Sequence, residues 1–107
     1  KVAAATMVGG ATLTGLLGTS AWYAPGASFA YLVDSILNDQ KKMIACSVML
    51  DGEYGQNDIC IGVPCIIGKN GIEQILDINL NEAEKAAFAK SADAVRNMNG
   101  DLNSILG

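Results

Sequence analysis

The chain carries no charged residue from Val2 to Val33. Three kinds of structure account for such a run: a membrane or export segment, the core of a soluble domain, or the lining of a site where small residues let a flat ligand approach. Its middle part, Gly18 to Ala30, reads GTSAWYAPGASFA and is rich in small side chains. The fold and function of the chain depend on which of the three is correct.

The membrane and export interpretations fit this run poorly. Lys1 followed by VAAATMVGGATLTGLLGTSA imitates a signal peptide, but its glycines and threonines lower the free energy gained on entering lipid. Pro25 and Gly26 divide the run into two pieces, each marginal in length for a bilayer about 30 Å thick. We therefore expect no membrane segment.

Composition excludes two further classes of protein. The 107 residues allow one domain, and 50% hydrophobic with 17% charged residues is typical of a globular chain. The net charge is −4, and seven basic residues spread along the sequence form no stripe that would bind nucleic acid. Cys46, Cys60 and Cys65 do not form a metal site, because no Cys-x-x-Cys pair and no histidine are present. We expect reduced, buried thiols and a cytoplasmic protein.

Helical periodicity dominates the first part of the chain. Apolar spacing predicts one helix from about Ala4 to Leu17, ended by Gly18, and a second from Tyr23 to Asn38. Pro25 falls in the first turn of the second helix, where a missing N–H costs little. The second helix is apolar around most of its circumference, which predicts burial on most sides. In the first helix, Gly9 and Gly10 predict close packing or a bend.

The middle of the chain changes to a period of two. Strands are predicted from Met43 to Leu50, from Ile59 to Ile67 and from Ile72 to Ile78. The first two are joined by the turn sequence DGEYGQND, and the last two by a tight hairpin at Asn70-Gly71. Pro64 predicts a bulge or an unpaired edge, because it cannot donate to a ladder.

A long helix follows the third strand. Asn81 and Glu84 form the sequence pattern of a capping box, and Gly100 predicts a kink or an early end. The predicted fold class is α+β, with a three-stranded antiparallel β-meander packed with two N-terminal helices and one long C-terminal helix.

The residues themselves reveal no catalytic constellation. Gly62-VPCII-Gly68-Lys69-Asn70 fails as a phosphate-binding loop in its spacing, and Asp51 to Gly62 fails as a calcium loop in its ligands. Without histidine, no Ser or Cys has a base beside it. The residues alone therefore leave a compact α+β domain whose helix start is made of small residues. A non-catalytic binding or assembly domain that uses this small-residue helix face as an interface fits that description.

Several segments in order resemble the C-terminal, substrate-binding domain of the lactate/malate dehydrogenase family. They are GTSAWYAPGASFAYLVDSIL, Gly52-Glu53-Tyr54-Gly55, Val63-Pro64-Cys65-Ile66-Ile67-Gly68, Asn70-Gly71-Ile72, and Glu82-x-Glu84 with Lys90-Ser91-Ala92. The similarity runs from about Gly9 to Leu106. It implies that residues 1–107 are the C-terminal domain of an enzyme, here a fragment without the dinucleotide-binding domain.

The resemblance also implies a function and a site. Lactate enzymes of the family carry threonine at the place that matches Ala21, whereas Ser-Ala-x-Tyr-Ala-Pro, as in Ser20 to Pro25, is typical of malate enzymes. It implies an NAD-dependent oxidoreductase of the tricarboxylic acid cycle that interconverts malate and oxaloacetate. Ser20 and Ala21 would border the substrate, and Pro25 the nicotinamide ring. The catalytic His–Asp pair and the arginines would lie upstream, so no catalytic residue falls in this chain, which would be inactive alone.

The family resemblance also implies a homo-oligomer, in which the helix from Tyr23 to Asn38 helps to pack subunits together.

The assignment of the site residues has an alternative that the sequence leaves open. Ordinary packing at a helix start is the alternative explanation for Ser20, Ala21 and Pro25.

Overall fold

The computed structural model describes the backbone of residues 1–106 and the side chains of residues 1–102, 105 and 106. Three α-helices and one antiparallel sheet are present in that part, so the fold class is α+β as predicted. The elements in chain order are α1 (Val2–Leu17), α2 (Tyr23–Leu37), β1 (Lys42–Asp51), a 3-10 turn (Glu53–Gly55), β2 (Asn57–Gly68), β3 (Gly71–Ile75) and α3 (Glu82–Leu106).

The described chain forms two compact units, which divide between Asp34 and Ser35. In the first unit, α1 ends at Gly18, whose φ of 67° is the left-handed cap conformation that glycine adopts without strain. The Gly18 N–H donates to the Thr14 carbonyl at 3.0 Å and closes the last turn. The predicted end of α1 is therefore confirmed.

No described helix is long and apolar enough to cross a membrane.

Burial in the two N-terminal helices is much lower than predicted. α1 has no buried residue, and in α2 only Ser35 is buried, so the expectation of an α2 buried on most sides is wrong. Gly9 and Gly10 have no atom within 4 Å of an added Cβ, and α1 continues through both. The close packing predicted at these glycines is not found among the described residues.

The second unit is built on the sheet, whose strand order is β1-β2-β3. β1 and β2 pair antiparallel from Lys42↔Ile67 to Asp51↔Asn57, which places alternate side chains on one face. The buried apolar residues of the described chain are found on this face and on α3: Leu50, Ile59, Val63, Cys65, Ile67 and Ala92. The β-meander predicted from the period of two is therefore confirmed.

Pro64 lies in the central strand, with no register shift at its pair with Ala45. The predicted bulge at Pro64 is therefore wrong. The N–H and C=O of a residue point toward the same neighbouring strand, and the Pro64 carbonyl accepts from the Leu76 N–H at 2.9 Å. Because the β2–β3 pairing ends at Cys65↔Ile75, the missing N–H falls where that ladder stops. The predicted unpaired edge therefore holds only on the side of Pro64 that faces β3, whereas on the other side Pro64 pairs with Ala45 of β1.

A bulged hairpin joins β2 to β3. Gly68 pairs with Gly71 across the two turn residues Lys69 and Asn70, and the register shifts between Ile66 and Ile67. Gly71, the first residue after the turn, has a φ of 82°, a left-handed conformation that glycine adopts without strain. The Asn-Gly pair thus marks the predicted hairpin, although the turn itself begins one residue earlier.

α3 starts with the predicted capping box. The Glu84 N–H donates to Asn81 Oδ1 at 2.9 Å, and the Asn81 N–H donates to Glu84 Oε2 at 2.9 Å. The helix continues through Gly100 to Leu106, so the predicted kink or early end at Gly100 is wrong. One glycine costs a helix only about 1 kcal/mol relative to alanine, which the neighbouring turns offset.

α3 packs against β2 and the turn before it. The rings of Phe88 and Tyr54 lie 5.2 Å apart, and Ala92 is fully buried. Nearer the end of the contact, Arg96 donates to Gln56 Oε1 at 2.7 Å. Aromatic packing and a charge-assisted hydrogen bond therefore hold α3 on the sheet.

The three thiols are all free, but they differ in burial. Cys65 is buried, Cys46 is half-buried and Cys60 is exposed, so the prediction of buried cysteines is wrong for Cys60. Burial raises the pKa of the Cys65 thiol, and the charge of Cys46 acts in the same direction, while a hydrogen bond with the Cys46 backbone opposes both. Cys65 is therefore an unreactive core residue.

Candidate functional site

The loop between α1 and α2 contains the site that the sequence predicts. Gly18 ends α1, residues 19–22 form the loop, and α2 begins at Tyr23. The Gly26 N–H donates to the Trp22 carbonyl at 2.9 Å, which closes the first turn of α2. Pro25 lies in that turn, where its fixed φ suits a helix and its missing N–H has no helical partner to lose.

An open cavity of about 660 Å³ lies beside this loop. Its lining is mainly apolar and consists of Leu17, Thr19, Ser20, Trp22, Tyr23 and Gly26. The two aromatic side chains are strongly exposed, Trp22 by 72% and Tyr23 by 96%. Aromatic walls and a small-residue floor are the surfaces that planar organic ligands use.

The structure brings together only part of the predicted site. Ser20 lines the cavity, whereas Ala21 and Pro25 do not. Ala21 is half-buried in the same loop, and Pro25 is exposed in the first turn of α2. The three residues are thus close in sequence around one loop, with Ser20 alone facing this cavity.

The cavity has hydroxyl groups in its lining, from Thr19, Ser20 and Tyr23. Its lining includes no carboxylate, ammonium or imidazole, and the chain contains no histidine. Among the described side chains and backbone groups, the Ser20 hydroxyl has no hydrogen-bond partner, so it can bond to a ligand. No cluster of three or more metal-ligating side chains occurs in the described residues.

Trp22 and Tyr23 were not singled out from the sequence. The available signal was their position, two adjacent aromatic residues in a segment otherwise made of small side chains. Trp22 is the last residue of the loop, and Tyr23 is the first residue of α2. Both residues line the cavity, and both side chains are exposed.

A second cavity, of about 430 Å³, lies between the 3-10 turn and the start of α3. Tyr54, Phe88 and Leu80 are among its lining residues, and Tyr54 has a φ of 54°. The Tyr54 hydroxyl donates to the Leu76 carbonyl and accepts from the Ile78 N–H at 3.2 Å. These bonds join the turn to the β3–α3 connection, which gives Tyr54 a structural role.

The 3-10 turn also positions an acidic side chain. The Asp51 N–H donates to Glu53 Oε2 at 2.7 Å, and this bond and the N–H of Glu53 itself lower the pKa of that carboxyl. The charged form of Glu53 is therefore favoured, since hydrogen bonds to a carboxylate make its protonation less favourable.

A family model of the lactate/malate dehydrogenase alpha/beta C-terminal domain matches residues 5–102. The chain belongs to this family. The matched range includes the α1–α2 loop, the whole sheet and most of α3, so it covers both the cavity at Ser20 and the core. The predicted resemblance is confirmed.

Relatives in the lactate/malate dehydrogenase family are very similar to the chain. It is 86% identical over 106 residues to a malate dehydrogenase of Flavobacterium frigidimaris, and 69% identical over 105 residues to one of Bacteroides thetaiotaomicron. These matches cover 99% and 98% of the chain but only 34% of each relative. The chain spans about a third of the length of the curated relatives it matches.

Solved structures in the same family share the fold. A malate dehydrogenase from Salinibacter ruber matches with a TM-score of 0.91 and 40% identity, covering 94% of the chain and 33% of that protein. One from Cryptosporidium parvum matches with a TM-score of 0.90 and 42% identity, over 94% and 32%. The α+β architecture is therefore that of the C-terminal domain in these enzymes.

Proposed function

We propose that this chain is the substrate-binding domain of an NAD-dependent malate dehydrogenase, which interconverts malate and oxaloacetate by hydride transfer. The observation that carries the proposal is the 86% identity to a malate dehydrogenase over 99% of the chain. Because the chain covers 34% of that relative, the remaining parts of the enzyme are assigned to the rest of the parent protein. The dinucleotide-binding domain belongs to those parts.

The α1–α2 loop is the part of this chain that we assign to the substrate and cofactor. Ser20 and Ala21 border the substrate, with the Ser20 hydroxyl free to donate a hydrogen bond to a carboxylate or carbonyl oxygen. Ala21 contributes space, because its side chain ends at Cβ. Malate carries one carboxylate more than lactate, so the space at Ala21 favours the larger acid.

The residues at the start of α2 fit a nicotinamide ring. Pro25 is exposed and has no N–H, and Gly26 lines the apolar cavity without a side chain. A flat, partly apolar ring can approach such a surface closely. The chemistry that bound NAD supplies is hydride transfer to and from the substrate carbonyl carbon.

Proton transfer is assigned to residues outside this chain. The reaction needs a group that gives a proton to the carbonyl oxygen of oxaloacetate, and histidine is the usual choice near neutral pH. No histidine is present among the 107 residues. This chain therefore contributes to the binding of substrate and cofactor, and the rest of the parent supplies acid–base catalysis. We further propose that the parent is a cytoplasmic homo-oligomer of the tricarboxylic acid cycle.

The first experiment measures the activity of the full-length parent. It should oxidise NADH with oxaloacetate much faster than with pyruvate, and the purified 107-residue chain should oxidise none above a buffer blank. Preference for pyruvate would place the parent among lactate enzymes. Activity with neither substrate would favour the non-catalytic binding or assembly domain.

The second experiment tests Ala21 in the parent. Ala21→Thr adds a methyl and a hydroxyl group on the substrate side, which typically costs about 1–3 kcal/mol in a filled site. We expect kcat/KM for oxaloacetate to fall at least about tenfold, with the dissociation constant of NADH unchanged.

The matched control is Ala86→Thr, which makes the same chemical change on the exposed surface of α3. Its oxaloacetate kinetics should equal those of the unchanged parent. If Ala21→Thr behaves like Ala86→Thr, Ala21 is a packing residue at a helix start and has no role in substrate selection.

A further inference from the structure

The dipeptide Asn-Gly occurs twice in the sequence, at Asn70-Gly71 and at Asn99-Gly100. In such a pair the backbone nitrogen of the glycine can attack the amide carbon of the asparagine side chain, because glycine has no Cβ to hinder the approach. Both asparagines are exposed to solvent. The two sites therefore differ in the backbone around them.

Asn70-Gly71 lies at the turn end of a short hairpin. Lys69 and Asn70 are the two turn residues, and Gly68↔Gly71 is the last pair of the β2–β3 ladder, which a register shift interrupts nearby. No atom lies within 4 Å of a Cβ built on Gly71, so the space beside its backbone is open. The end of a short, irregular ladder opens at a small cost in free energy. The Gly71 nitrogen can therefore leave its place in the ladder.

Asn99-Gly100 lies inside α3. The helix continues through Gly100 to Leu106, so the Gly100 N–H falls within the regular pattern of bonds to the carbonyl four residues earlier. The surrounding turn of the helix must open before this nitrogen can reach the Asn99 side chain. The helix therefore protects the second site.

A long hydrogen bond on the surface holds the Asn70 side chain. Asn70 Nδ2 donates to Glu73 Oε1 at 3.3 Å, and both groups are in contact with solvent. Water competes for such a bond, so the bond contributes little net free energy. The Asn70 amide can therefore turn from Glu73 toward its own backbone.

We propose that Asn70 is a site of spontaneous covalent modification, at which the side-chain amide is converted to a carboxylate by deamidation. The Gly71 nitrogen forms a bond to Asn70 Cγ, its proton passes through water to Nδ2, and Nδ2 leaves as ammonia. Water then opens the five-membered imide at one of its carbonyl carbons, which gives aspartate or isoaspartate. The reaction consumes one water and releases one ammonia, and it does not depend on the function proposed above.

The product places a negative charge beside other carboxylates. Glu73 would then face a like charge in place of a donor, and Asp39 lies close to Glu73 around Gly68. Like charges at this distance repel each other, and salt weakens the repulsion. Deamidation therefore loosens the contacts that Asp39 and Lys41 make with the hairpin.

The test follows both asparagines in the full-length parent, incubated in its folded state at mildly alkaline pH in water labelled with a heavy oxygen isotope. Water that opens the imide leaves the heavy oxygen in the product, which separates this reaction from deamidation during digestion. Mass spectrometry of peptides cut by pepsin in acid gives the labelled fraction at each position. We expect Asn70 to convert at least about tenfold faster than Asn99, because α3 must open first. In urea, where the fold is lost, the two rates should be similar.

Two results would overturn the proposal. One is an equal rate at both positions in the folded parent, and the other is an Asn70 that stays intact there while the parent in urea is converted. Asn70→Gln is the matched variant, since its longer side chain must close a six-membered ring, which forms much more slowly. It should abolish the label at position 70 and leave the rate at Asn99 unchanged.

Asn70→Asp tests the consequence of the new charge. The Lys69 N–H, which donates to Asp39 Oδ1, should exchange hydrogen faster in Asn70→Asp than in Asn70→Gln. The difference should shrink as salt is added. Equal exchange in the two variants would contradict the loosening of the hairpin.

Discussion

Gly68, at the end of β2, is surrounded by carboxylate groups. A Cβ atom at this position would lie 2.6 Å from Glu73 Oε1 and 2.8 Å from Asp39 Oδ1. Asp39 Oδ1 accepts from the Lys69 N–H, and Glu73 Oε1 accepts from Asn70 Nδ2 at 3.3 Å. The other oxygen of Glu73, Oε2, lies 3.3 Å from Lys41 Nζ, so neither carboxylate can move away without losing a partner. The absence of a side chain at Gly68 thus permits the polar contacts between the hairpin and the end of α2.

Gly68→Ala should destabilise the chain by about 1–2 kcal/mol. An alanine that fits its site gains roughly 0.4–1 kcal/mol from the less flexible unfolded chain, but here both carboxylates must shift. Urea denaturation followed by circular dichroism measures the free energy of unfolding.

The paired variant isolates the cause. In a Glu73→Ala background the main obstacle is gone, so Gly68→Ala should cost about 1 kcal/mol less than it does alone. Equal costs in both backgrounds would show that crowding by Glu73 does not explain the glycine.

Residues of the candidate site differ in how well sequence could predict them. Ser20, Ala21 and Pro25 follow from resemblance to a family, and nothing in their own chemistry requires a ligand. Outside that site, the buried bond from the Ser35 hydroxyl to the Ile67 carbonyl could not be predicted, because the two residues are 32 positions apart and serine is usually exposed. Long-range partners of this kind are visible only in the folded chain.

At the scale of elements, the start of α3 depends on local chemistry. Asn81→Ala removes the Oδ1 atom that accepts from the Glu84 N–H, and such replacements cost about 1 kcal/mol. We expect this loss in the free energy of unfolding, together with faster hydrogen exchange at the Glu84 amide.

Asn97→Ala is the matched control, since Asn97 is exposed inside α3 and alanine has the higher helix propensity. It should leave stability unchanged or raise it slightly. Equal destabilisation by both asparagine replacements would contradict the capping role of Asn81.

Elements set by local patterns were predicted well, and those set by distant contacts were not. The capping box, the Gly18 stop and the strand alternation each depend on a few neighbouring residues. The length of β3 and the pairing at Pro64 depend on where a partner strand ends, at Cys65↔Ile75. Burial of α2 depends on surfaces elsewhere, so its apolar sequence could not show whether this chain covers it.

At the scale of the whole molecule, α2 presents uncovered apolar side chains. Phe29 is 68% exposed and Leu37 is 77% exposed, with Val33 between them at 48%. Apolar patches beyond a few hundred Å² are seldom left unpaired on monomeric proteins. We therefore predict that the chain associates with a second copy of itself through α2. Burial of about 800 Å² on each side would give a stable contact, and a twofold axis would let the same helix meet itself.

Sedimentation of the purified chain at micromolar concentration decides this last prediction. We expect a species with the mass of at least two chains, and a single species of 11.1 kDa would contradict it. Phe29→Glu places a charge in the proposed contact and should shift the equilibrium to the monomer, because an unpaired buried charge is costly. Met98→Glu makes a comparable change on α3, where Met98 is 72% exposed, and should leave the association unchanged. Equal effects of the two glutamate substitutions would mean that the copies associate by non-specific hydrophobic contact and not through α2.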